Sequence, residues 1–60
     1  MNETKVEILN KLCQAMAEHP YLRFGQLLVN VFRVDMYDPF YMSDETMLND
    51  LNKFLKEENK

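Results

Sequence analysis

From Ser43 to Glu57 the apolar residues fall on one side of a helix. Met47, Leu48, Leu51, Phe54 and Leu55 recur at helical spacing, and Asn49, Asp50, Lys53, Lys56 and Glu57 occupy the opposite side. Ser43 is a good N-cap, Asp44 and Glu45 place negative charge at the positive end of the helix dipole, and Lys53 and Lys56 sit late. A second helical pattern covers residues 3–18. Val6, Leu9, Cys13 and Met16 repeat at 3-4-3 spacing, with Ile8, Leu12 and Ala15 running beside them. The apolar arc of this helix spans about half its circumference, wider than the roughly 100° a surface helix needs. Asn2 or Thr4 can cap its start, and Pro20 ends it by forcing the preceding residue out of the helical region.

The middle segment, Tyr21 to Val34, reads in two ways. Val29, Val31 and Val34 are β-branched and LVNVFRV partly alternates, which suits a strand. On a helix, Phe24, Leu27, Leu28, Val31, Phe32 and Val34 cover most of the circumference, and Arg23, Gln26, Asn30 and Arg33 form one polar ridge. The helix is preferred, over 21–33 with Pro20 at its first turn, because neither flanking segment offers a strand to pair with. Gly25, the only glycine, then sits inside a helix, where close packing or an approaching ligand are the usual reasons for it. Between the second and third helices, VDMYDPFYM pairs the turn signal Asp38-Pro39 with Tyr37, Phe40, Tyr41 and Met42. Loops normally run polar. These rings are expected to plug the bottom of a small core ahead of forming an exposed recognition patch.

Sixty residues allow a single domain, 1–60, with little stability to spare. Apolar burial is worth on the order of 90 kcal/mol at about 25 cal/mol per Å². Ordering costs about 1.5 kcal/mol per residue, again roughly 90 kcal/mol. The one cysteine excludes an internal disulfide. Together with the over-wide apolar arc of the first helix, this near-zero balance predicts a homo-oligomer, most simply a dimer. No apolar run reaches a membrane span, and MNETKVE has neither the basic start nor the apolar core of a signal peptide, so a cytoplasmic domain without membrane contact is expected.

Charge narrows the partners. The net charge is −3 and the pI near 4.9, which disfavours nucleic acid, since such binding draws on basic groups. Five acids (Asp35, Asp38, Asp44, Glu45 and Asp50) lie between residues 35 and 51 with no Lys or Arg among them. That run is a solvated face, or else a surface for a basic protein. Cys13 and His19, the only residues of their kinds, stand six apart on one helix, which suits neither a nucleophilic pair nor a zinc site. Cys13 reads as a small core residue and His19 as a helix-end residue. Met16 and Met47 also read as core. The chain has no EF-hand pattern and no glycine-rich phosphate loop. No catalytic residue, metal site or cofactor is expected.

At RFGQLLVN (Arg23–Asn30) followed by DPFYMSDE (Asp38–Glu45), the chain resembles a group of short phage and prophage proteins. They share a "P-x-L-R-F-G-Q-L-L-x-N" segment, a variable stretch, then "D-P-F-Y" and a final helix with an acidic start. The resemblance covers roughly residues 19–55, and its pattern falls here on Pro20, Leu22, Arg23, Phe24, Gly25, Gln26, Leu27, Asn30, Asp38, Pro39, Phe40 and Tyr41. It implies a small phage protein, a class that often inhibits host defence systems, as anti-CRISPR and anti-Hachiman proteins do. No residue role for inhibition carries over.

The expectation is therefore an all-α domain of three helices, about 3–18, 21–33 and 43–57, acting as a non-enzymatic module that occludes or locks a host protein. Its contact residues are expected to be Arg23, Gln26, Asn30 and Arg33 on the ridge, with Asp38, Phe40, Tyr41 and Asp44 at the loop. The alternative is an oligomeric sponge for an anionic nucleotide, gripped by Arg23 and Arg33.

Overall fold

The computed structural model describes residues 2–58, with side chains through Lys56, so the side chain of Glu57 lies outside the described residues. Three helices follow in order: α1 (Glu3–Glu18), α2 (Phe24–Phe32) and α3 (Asp44–Glu58). No strand occurs among the described residues, and the middle segment is helical. The helices α1 and α3 form the main packed pair, and α2 closes over α3 and, to a lesser extent, α1.

Each helix starts where a side chain can take an orphan N–H. Asn2 Oδ1 accepts from the Lys5 N–H at 2.9 Å and opens α1. Ser43 Oγ accepts from the Thr46 N–H at 3.1 Å, while the Met47 N–H donates to the Ser43 carbonyl at 3.1 Å. The start of α2 differs from the expectation. Pro20 does not sit in its first turn. The Leu22 N–H turns back onto the His19 carbonyl, and Arg23 stays extended at φ −70°, ψ 154°. Gln26 Oε1 then accepts from the Arg23 N–H at 2.8 Å, half of a capping box, which delays the helix to Phe24. At its far end Arg33 adopts the left-handed conformation, φ 56° and ψ 44°, that terminates a helix. The Arg33 carbonyl there accepts from the N–H groups of both Met36 and Tyr37.

The core is Ala15 from α1, Leu27, Val31 and Phe32 from α2, and Leu51 and Leu55 from α3. Ile8, Leu12, Leu22, Leu28, Val34, Met42, Met47 and Phe54 pack around it. Two sequence expectations fail here. Cys13 and Met16 are exposed, because α1 turns its Ile8–Leu12–Ala15 side inward and leaves the 3-4-3 stripe outside. Phe24, in the first turn of α2, is 53% exposed. Of the two reasons for Gly25, close helix packing within the chain is not found, since a Cβ added there meets no heavy atom within 4 Å beyond its own stretch of helix.

Candidate functional site

The segment joining α2 to α3 is held by its own backbone. Asp38 Oδ1 accepts from the Phe40 N–H at 2.9 Å, the Tyr41 N–H donates to the Asp38 carbonyl at 3.1 Å, and Pro39–Tyr41 forms one 3-10 turn. A single turn of this kind is too short to repeat one face toward the core. Phe40 and Tyr41 stand 84% and 82% exposed, edge to face with ring centroids 5.0 Å apart. They do not plug the core. That expectation is overturned, and of the loop's apolar residues Val34 and Met42, at its two ends, pack against the core.

Beside this turn an open cleft of about 440 Å³ runs between the end of α2 and one side of α3. Its apolar walls are Val31, Phe32, Met42 and Phe54. Its polar lining is Asn30, Arg33, Tyr37, Thr46, Asp50 and Lys53. Tyr37 and Met42, which line it, bracket the exposed aromatic pair in the chain, so the turn rises from the cleft's own edge. Arg33 is steered at this edge by neighbours three residues away or fewer. Its Nε lies 3.7 Å from Asp35 Oδ1, and its Nη2 donates toward Met36 Sδ at 3.2 Å.

The expected contact residues thus separate. All four ridge residues are exposed, but only Asn30 and Arg33 line the cleft. Arg23 and Gln26 belong to the cap at the opposite end of α2. The two arginines are not a continuous helical ridge, because Arg23 precedes the helix and Arg33 has left it. The nine residues of α2 lie between them, a rise of about 15 Å from Arg23 to Arg33. Asp38 spends its carboxylate on the turn. Asp44 faces α1, where Lys5 Nζ meets its Oδ2 at 2.9 Å and ties the starts of α1 and α3 together.

Sequence reading missed the α3 wall of the cleft. Thr46, Asp50 and Lys53 follow at i, i+4 and i+7 beside the buried stripe, a spacing that was available but looked like an ordinary polar flank. It also missed the burial of His19. This residue closes α1 at 8% exposure, with its ring 5.1 Å from Phe54 and its Nδ1 3.1 Å from the Tyr21 hydroxyl. Among the described residues no three His, Cys, Asp or Glu side chains are grouped to hold a metal ion, and no helix is long and apolar enough to cross a membrane. Comparison with protein-family models, curated proteins and solved structures finds no match to this chain.

Proposed function

We propose that this chain is a small non-enzymatic protein-binding module of the phage type its sequence resembles, acting in the cytoplasm of a host cell as a homo-oligomer that occludes or locks a host protein. The observation that carries the reading is the Phe40–Tyr41 pair, outside the core on a turn whose N–H groups at Phe40, Tyr41 and Met42 are already bonded. Aromatic side chains held out in this way bring large contact area at little ordering cost, which is how interface anchors work. The cleft beside them supplies the complementary feature, an apolar pocket with Asn30, Arg33, Asp50 and Lys53 in its polar lining, suited to a partner side chain inserted between charged groups. The acids from Asp35 to Asp50 favour a basic surface on that partner.

The test is affinity capture from host lysate with the tagged full chain, repeated with Phe40→Ala and Tyr41→Ala. Each variant is expected to lose the captured host protein while keeping the wild-type melting temperature and oligomeric state. Capture undiminished in both variants would remove the aromatic pair from the interface.

A further inference from the structure

The outer side of α1 is the largest feature of the chain that the host-contact reading leaves unused. Val6, Leu9 and Met16 are 41%, 51% and 38% exposed, and Cys13 lies among them. On a helical wheel these residues and Ala17 make one continuous stripe about 100° wide, and no charged residue interrupts it. We propose that this stripe is the surface by which two copies of the chain associate, α1 against α1 across a two-fold axis. The proposal rests on the homo-oligomer reading above and adds to it the face that does the work.

Three observations select a second copy as the occupant. The first is spacing. Val6, Leu9, Cys13 and Met16 follow the 3-4-3 rhythm of a coiled-coil seam, the narrow pattern by which like helices interlock, whereas the inward Ile8–Leu12–Ala15 side already serves the core. The second is charge. A chain of net charge −3 repels its own copies over most of its surface, but here two copies meet through side chains that carry none. The nearest cation at the stripe's edge, Lys5, is occupied by Asp44 of its own chain.

The third is area. The stripe and the side-chain stems along its edges can remove on the order of 500 Å² per copy, about 1,000 Å² in all, the lower bound for a specific interface. Only six apolar side chains are buried among the described residues, and so small a core gives the fold a reason to use it.

Sedimentation velocity on the full chain, from low to high micromolar concentration, tests the proposal. The wild type is expected to pass from monomer to dimer across that range. Leu9→Glu is expected to stay monomeric with its helical circular dichroism retained, and Phe40→Ala to dimerise as the wild type does. In parallel, modification of the Cys13 thiol by an aromatic disulfide reagent is expected to slow at least tenfold as the wild type is concentrated through the transition. This labelling decides the matter even if Leu9→Glu fails to fold. A wild type that remains monomeric throughout would overturn self-association itself. A wild type that dimerises while Cys13 labels equally fast at every concentration would overturn the α1 surface alone, leaving self-association to another face.

Discussion

Phe32 and Phe40 lie eight residues apart in equally apolar stretches, yet Phe32 is 5% exposed and Phe40 84%. Composition does not separate them; period does. Phe32 ends a helix whose Leu27, Leu28 and Val31 meet the same core, so burying the ring extends a surface already being assembled. Phe40 sits in a three-residue turn too short to repeat one face, with Asp38 accepting from the N–H groups of Phe40 and Tyr41. Nothing in that turn is gained by folding it inward. Apolar content predicts burial only where the backbone can present it repeatedly to one side.

The largest expected effect lies at the buried end of this comparison. Phe32→Ala and Leu51→Ala each remove a buried side chain of the core, and each is expected to cost about 2–5 kcal/mol in chemical denaturation. In a domain of 60 residues a loss of that size leaves little folded population at ambient temperature. A loss below about 1 kcal/mol would mean that the core is not where these helices place it.

The same contrast explains what was legible in the sequence. The helices α1 and α3 were readable almost to the residue because each joins a capping side chain, Asn2 or Ser43, to a long apolar repeat. The start of α2 was not, since a proline suits a first helical turn and Gln26 gives no local sign that it will cap Arg23. On α1, periodicity shows that half the circumference is apolar but not which half a three-helix fold can cover. Ile8, Leu12 and Ala15 were covered, and Val6, Leu9, Cys13 and Met16 were left out. The site was half legible. Phe40, Tyr41, Asn30 and Arg33 were marked by their residue types, but the cleft depends on the left-handed turn at Arg33 and on the approach of α3, and these are tertiary facts.

A smaller effect comes from the one place where the backbone favours a different residue. Gly25 occupies an ordinary helical conformation with open space around its missing Cβ. Gly25→Ala is expected to raise stability by about 0.5–1 kcal/mol, seen as a higher melting temperature. Because the position is exposed near the start of α2, a loss of stability instead would show that the added methyl group meets a neighbour there.

The smallest expected effect is the most direct test. In urea denaturation, the double variant Phe40→Ala/Tyr41→Ala deletes two aromatic rings from a chain that has seven aromatic side chains of the Phe and Tyr types. If the pair stands outside the core as a contact surface, its unfolding free energy stays within about 0.5 kcal/mol of the wild type, the range of surface substitutions. A loss of about 2 kcal/mol or more, the cost of emptying a packed site, would return these rings to the core and contradict the account.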